Sequence, residues 1–130
     1  SGLACPDFPL CNGQVVPSID SFGVALQLTH RLGAVAVAGM VIWVYRLVSR
    51  SYATVPGLVI PTTIALTLLA VQFLLGALTV WNALAVAPTT AHVGVGALLL
   101  VAMLTLTLRT YRQYSCNLAA SVSTNRKVLA

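Results

Sequence analysis

The chain has 130 residues, of which 58% are hydrophobic and only 7% are charged, and its formal net charge is +5 at pH 7. Its mean hydropathy is +0.94. This composition excludes a water-soluble globular domain of this size, because too few charged side chains are present to cover its surface. We therefore predict an all-α integral membrane protein.

Three apolar stretches are long enough to cross a hydrocarbon core of about 30 Å, which takes about 20 helical residues. They cover residues 22–48, 58–81 and 89–108. We predict that they form a transmembrane helix bundle within residues 22–113. Residues 1–21 form a loop with two cysteines, called the cysteine loop below. Residues 114–130 are polar and without a clear period, and we expect them to be a mobile tail.

The cationic residues predict the orientation of the bundle. Six of the seven lie at the end of the first stretch, just after it, or after the third stretch, and these are Arg46, Arg50, Arg109, Arg112, Arg126 and Lys127. The positive-inside rule then places the cysteine loop outside the cytoplasm and the C-terminus inside it, in a prokaryotic plasma membrane. These cations suit anionic lipid headgroups, and the chain lacks an aromatic or glycine-rich pattern for reading nucleic-acid bases.

The only two histidines, His30 and His92, lie inside apolar stretches, where an unpaired polar ring is costly. Counting to the arginine that ends each stretch gives 16 residues to Arg46 and 17 to Arg109. At about 1.5 Å per residue, both rings lie roughly 24 to 26 Å from the same membrane edge. Two imidazoles at one depth predict the axial ligands of one haem iron, with ordinary interhelical hydrogen bonds as the alternative.

Two polar neighbours of His30 support a cofactor site. Arg31 needs an anionic partner within the membrane, and a haem propionate matches its guanidinium, whereas snorkelling to lipid is the alternative. Gln27, three residues before His30, lies on the same helix face. It is predicted to bind a cofactor edge or to orient the imidazole, unless it bonds a neighbouring helix.

Glycines near both histidines leave room for a flat macrocycle. Gly33 follows His30, and Gly94 and Gly96 follow His92, although small residues also pack helices without any ligand. In the middle stretch, Gln72 and Gly76 lie on one helical face. We expect that face to line the same bundle interior. No further His, Asp, Glu or Cys lies within the stretches, which argues against a zinc or copper site.

Cys5 and Cys11 flank a short, proline-containing segment on the side predicted to be oxidising. A disulfide between them is the favoured interpretation, since two prolines stiffen the loop in turn-like conformations. A transient redox pair and a metal site are the alternatives, although the spacing is unlike that of zinc sites.

Taken together, the cysteine loop, the pair His30-Arg31 and residues 72–79 and 88–96 resemble the haem A synthase family of cytochrome oxidase assembly proteins. The resemblance covers residues 1–113. It implies a membrane protein built from one or two four-helix halves, each with one histidine pair that binds haem. His30 and His92 correspond to that pair, and Cys5 and Cys11 to the outer cysteine pair. The implied reaction oxidises the C8 methyl group of haem O, the substrate, to a formyl group, with haem b as cofactor.

The chain departs from the family in two ways. Its three stretches match the second to fourth helices of a half, so a first helix or a second half is expected from the same or another chain. Gln27 stands where the catalytic half has glutamate, and a neutral amide cannot act as a base. The resemblance is therefore closest to the C-terminal, cofactor-holding half, and we name no catalytic residue.

Three functions remain open at this point. The first is a haem A synthase or its haem b-binding half, acting with a second copy or within an oxidase-assembly complex. The second is a non-catalytic haem-binding or structural subunit of a respiratory or photosynthetic complex. The third is a helix hairpin without haem, in which both histidines find ordinary partners.

Overall fold

The computed structural model of the protein describes residues 5, 8–11, 13–15, 18–19 and 21–128, with side chains as far as residue 117. Three helices make up most of this part: α1 (Phe22–Ser51), α2 (Pro56–Trp81) and α3 (Val86–Val128). All three contain segments long and apolar enough to cross a membrane. The predicted all-α membrane bundle is confirmed.

The starts of α1 and α2 follow from local chemistry. Ser21 caps α1 because its side chain accepts a hydrogen bond from the Val24 N–H at 3.3 Å. Pro56 is the first residue of α2, where its missing N–H costs nothing. The helices extend slightly beyond the predicted stretches, since α1 ends at Ser51 and α2 begins two residues before residue 58.

Helix α3 differs most from the prediction. The expected mobile tail after residue 114 continues α3 as a helix to Val128, so α3 has 43 residues and is about 64 Å long. Its membrane-compatible part is Val86–Asn117. The physical reason is that residues 97–128 contain neither glycine nor proline. Hydropathy falls after Leu108, but nothing in the backbone ends the helix.

Helix α2 packs against both of its neighbours, and side chains of α1 and α3 share two apolar clusters with it. Two clusters of buried apolar residues join the three helices. One lies at mid-height and contains Val41, Ala65, Leu69, Leu99 and Ala102. The other lies near the end of α1 and contains Val48, Leu58 and Leu106. Most other large apolar side chains face outward, where lipid is their natural solvent.

Pro61 interrupts the backbone hydrogen bonding of α2. It has no N–H for the carbonyl of Gly57, four residues earlier, which would otherwise be a normal helical acceptor. Arg109 of α3 donates from Nη1 to that carbonyl oxygen at 3.1 Å. The arginine that ends the third stretch therefore satisfies the backbone group that proline leaves without a partner.

The turn between α2 and α3 is tight. The Leu84 N–H donates to the Thr79 carbonyl at 2.9 Å and the Ala83 N–H donates to the Val80 carbonyl at 3.1 Å. This pair of bonds is the Schellman arrangement of a helix C-terminus. Glycine usually occupies its left-handed position, but here Ala83 has φ 48° and Leu84 has φ 64°. The chain reverses direction at this strained turn, so α3 runs parallel to α1.

Candidate functional site

The structure brings His30 and His92 together. His30 is the ninth residue of α1 and His92 the seventh of α3, and both lie near the start of their parallel helices. Their ring centroids are 6.3 Å apart, and the ring planes are inclined by 71°. The two imidazole rings are therefore neighbours, one on α1 and one on α3.

Helix α2 contacts the ring of His92 through Gln72 and approaches it closely at Gly76. The amide Nε2 of Gln72 lies 3.3 Å from Nε2 of His92. A Cβ at Gly76 would come within 3.2 Å of His92 Cε1, and one at Gly96 within 3.0 Å of Gln72 Nε2. The two glycines therefore accommodate the ring and the amide at close approach.

Gln72 was missing from the predicted ligand environment. The sequence placed Gln72 and Gly76 on one face of the middle helix, four residues apart, but gave no partner for either. A glutamine inside an apolar stretch, followed one turn later by glycine, is the signal that pointed toward this position. The space beside Gly96 holds Gln72, whereas a Cβ at Gly33 or Gly94 meets nothing within 4 Å.

Two buried polar atoms in this site have no hydrogen-bond partner, namely Oε1 of Gln72 and Nδ1 of His92. A buried polar atom without a partner costs about 1–3 kcal/mol. The contact between Gln72 and His92 therefore leaves one hydrogen bond unmade on each side chain. The site therefore has the hydrogen-bonding deficit expected of a place that receives a further group.

Gln27 and Arg31 hold the cysteine loop against α1. Oε1 of Gln27 accepts from the Cys5 N–H at 2.9 Å, and its Nε2 donates to the Cys5 carbonyl at 3.4 Å. One turn later, Nη1 of Arg31 donates to the carbonyls of Pro9 and Leu10 at 3.0 and 2.9 Å. Both side chains, which flank His30 on α1, therefore hydrogen-bond to the cysteine loop.

The cysteine loop contains a disulfide between Cys5 and Cys11, whose Cα atoms are 4.7 Å apart. Both cysteines are buried and pack with Val24 of α1. Phe8 extends the loop toward α2, because its ring meets that of Trp81 edge to face at a centroid distance of 6.3 Å. The loop therefore connects α1 and α2 at the end of the bundle where the two histidines lie.

The Phe8 ring also lies near the Arg31 guanidinium, whose central carbon is 5.9 Å from the ring centroid. This distance is within the range of a cation–π interaction. Arg31 therefore contacts the loop through both carbonyls and an aromatic face.

The donor set fits a haem better than a bare metal ion. Among the described residues, no group of three or more His, Cys, Asp or Glu side chains could hold a metal. A haem brings four nitrogen ligands of its own and needs two axial ones. His30 and His92, whose ring centroids are 6.3 Å apart, are the side chains that would hold its iron.

Comparison with known proteins identifies the family. The family model of the cytochrome oxidase assembly proteins (COX15-CtaA) matches residues 1–104. The chain belongs to this family. The matched region includes the cysteine loop, α1, α2 and the part of α3 that carries His92, so all site residues described above lie within the COX15-CtaA match.

A curated relative is similar over a shorter segment. Thirty-six residues are 47% identical to the heme A synthase of Shouchella clausii (strain KSM-K16), which is 28% of this chain and 12% of the relative. No solved structure matches the chain. The COX15-CtaA membership and the three apolar helices together indicate a multi-pass membrane protein associated with cytochrome oxidase assembly.

Proposed function

We propose that this chain is the haem b-binding half of a haem A synthase-type oxidoreductase. In the proposed reaction, the C8 methyl group of haem O is oxidised to a formyl group for cytochrome oxidase assembly. Membership of the COX15-CtaA family and similarity to a protein named heme A synthase support this assignment. The observation that carries it is the pair of imidazole rings, 6.3 Å apart between α1 and α3.

In this proposal, His30 and His92 would hold the haem iron. The bound haem would supply one-electron transfer at this site. Arg31 is proposed to bind a propionate, since it directly follows His30 and a guanidinium matches a carboxylate with two parallel hydrogen bonds. The cysteine loop would then lie beside the same edge of the cofactor.

The orientation and the partners are part of the proposal. The excess of arginine after α1 and on α3 supports a prokaryotic plasma membrane with the cysteine loop outside and the C-terminus inside. A fourth helix or a second half, from the same or another chain, would complete the bundle. Outward-facing apolar residues of α1 such as Leu32, Val35 and Met40 offer it a surface. If the missing helix comes from another chain, a homo-oligomer or an oxidase-assembly complex would supply it.

One observation favours a second candidate, a haem-binding subunit without synthase activity. The amide of Gln27 is engaged by both backbone groups of Cys5, and it carries no carboxylate at the position where the family's catalytic half has glutamate. In this case the histidine pair still holds haem, but substrate oxidation occurs in another half or not at all.

The first experiment is a visible spectrum and a pyridine haemochrome assay of the purified protein, oxidised and reduced. Wild type is compared with His30→Ala, His92→Ala and the control Thr67→Val, whose hydroxyl bonds only its own helix. We expect low-spin bands in wild type and control, and loss of the low-spin spectrum in both histidine variants. Folded wild type that is produced with ample haem and still contains none would refute the assignment.

A second assay separates the two candidates. Haems extracted from cells that make haem O and express the chain, with and without Gln27→Glu, are resolved by chromatography. Haem A in the wild-type strain supports the synthase, whereas haem A only with Gln27→Glu shows that the natural chain lacks the carboxylate needed for activity. Haem b bound to the chain with no haem A in either strain supports the non-catalytic subunit.

A further inference from the structure

Gln72 is a polar side chain of α2 that contacts His92 of α3. Its Nε2 lies 3.3 Å from Nε2 of His92, and the two residues are on different helices, 20 positions apart. Among the described residues, none hydrogen-bonds to the ring of His30. The two histidines therefore differ, because one has a partner behind its ring and the other does not.

The backbone is shaped to permit this contact. At Gly76, one turn after Gln72, a Cβ would come within 3.2 Å of Cε1 and 3.6 Å of Nδ1 of His92. At Gly96, one turn after His92, a Cβ would come within 3.0 Å of the Gln72 amide nitrogen. Glycine at both positions is what lets α2 and α3 bring the amide and the ring into contact.

Counting the donors and acceptors of Gln72 and His92 shows which hydrogen bonds they do not make. A neutral imidazole has one donor and one acceptor, and an amide has both kinds of atom. Whichever way the amide is turned, a single contact with Nε2 leaves Nδ1 of His92 and one amide atom without partners. In the structure the unpartnered atoms are Nδ1 of His92 and Oε1 of Gln72, both buried.

A metal bound at one nitrogen of an imidazole changes this inventory. The other nitrogen then carries the proton and needs an acceptor, which in histidine–metal sites is commonly a carbonyl or carboxylate oxygen. Oε1 of Gln72 is a buried amide oxygen without a partner beside this ring. With the amide turned so that Oε1 takes the place of Nε2, this oxygen would accept the proton that a metal-bound His92 carries on Nε2.

We propose that Gln72 is a positioning residue for His92, which makes His92 the fixed axial ligand and His30 the adjustable one. This inference rests on the proposed haem-binding function. Gln72 acts through the ring of His92 and has no assigned contact with the iron.

The test uses the fact that the chain contains two histidines, His30 and His92. Protein labelled with ¹⁵N only in histidine gives signals from two imidazoles, and His30→Ala identifies those of His92. Without haem, we expect one neutral tautomer of His92 in wild type and a mixture of two in Gln72→Leu. Gln72→Glu, which keeps an acceptor, restores a single tautomer. Thr67→Val on the same helix serves as the control.

The second readout is the rate at which bound haem is lost to an excess of a haem-accepting globin. Loss of a second-sphere partner typically costs 10–100-fold in metal affinity. We therefore expect haem loss about 10–100-fold faster in Gln72→Leu than in wild type, and near-wild-type loss in Gln72→Glu and Thr67→Val.

The outcomes separate the two proposals. An unchanged His92 tautomer in Gln72→Leu overturns the positioning role, whether or not haem binds. Unchanged haem loss in Gln72→Leu overturns it as well. Wild type that never binds haem but shows the tautomer change refutes the proposed function, and it leaves Gln72 as the residue that orients His92.

Discussion

Gln27 binds Cys5 by both of its backbone groups, accepting from the N–H at 2.9 Å and donating to the carbonyl at 3.4 Å. This arrangement needs one donor and one acceptor at the end of the same side chain. An amide has both, whereas an ionised carboxylate can only accept. The glutamine at this position is therefore suited to hold the disulfide-bonded loop on α1.

Gln27→Glu should loosen the cysteine loop. The new carboxylate loses the bond to the Cys5 carbonyl, faces that oxygen with like charge, and sits one turn before Arg31, where it competes for the guanidinium. We expect a cost of about 1 kcal/mol and faster hydrogen exchange at the Cys5 amide. Thermal unfolding in detergent and exchange mass spectrometry measure the two effects.

Gln113→Glu is the matched control, since Gln113 is exposed on α3 and the charge change is identical. If both variants change the exchange of the loop equally, the loss of the Cys5 carbonyl bond is not the cause.

The helices and the proximity of the two histidines could be predicted from the sequence because a membrane restricts both backbone structure and depth. Long apolar stretches must form helices, and two rings at one depth on parallel helices lie at the same level. The roles of Gln27 and Arg31 were less accessible, because a polar residue beside His30 has several possible partners. Their recorded bonds reach residues about 21 or 22 positions earlier in the chain, a distance that no helical period encodes.

The end of α3 and the contact of Gln72 escaped prediction for other reasons. Loss of hydropathy marks where a helix leaves the membrane but does not end it, so the helix continued to Val128. The Gln72 contact depends on how closely α2 and α3 approach, which is decided by glycines on both helices. A single sequence shows those glycines but not which helix faces them.

Gly76→Ala and Gly96→Ala should disturb the site through packing alone. The new methyl groups would lie 3.2 Å from His92 Cε1 and 3.0 Å from Gln72 Nε2, so the ring and the amide must shift. Overpacking of this kind costs about 1–3 kcal/mol. We expect lower thermal stability and faster haem loss than in wild type.

Gly39→Ala on α1 is the control for these two variants, because a Cβ there meets nothing within 4 Å. Replacing this helical glycine should stabilise the protein by about 0.5–1 kcal/mol. The packing argument fails if Gly76→Ala and Gly96→Ala behave like Gly39→Ala.

Arg109 and Pro61 should be coupled in a double-mutant cycle. Arg109 donates to the Gly57 carbonyl, which lacks a helical donor because residue 61 is proline. Arg109→Ala should cost about 1 kcal/mol in wild type, and less when Pro61→Ala supplies an N–H to the same carbonyl. Thermal unfolding of the four proteins gives the coupling energy, and Arg112→Ala controls for loss of positive charge. Equal costs of Arg109→Ala in both backgrounds would contradict this explanation.

Ala83→Gly should stabilise the turn that sets the position of α3. Ala83 occupies the left-handed position of a Schellman arrangement with φ 48°, where a side chain is strained and glycine is not. We expect a gain of about 1 kcal/mol in thermal unfolding, reduced by the extra freedom of glycine in the unfolded chain. Ala85→Gly, two residues later and without a positive φ, has no strain to relieve and should lose stability. A loss of stability in Ala83→Gly as large as that in Ala85→Gly would mean that the turn stores no strain at Ala83.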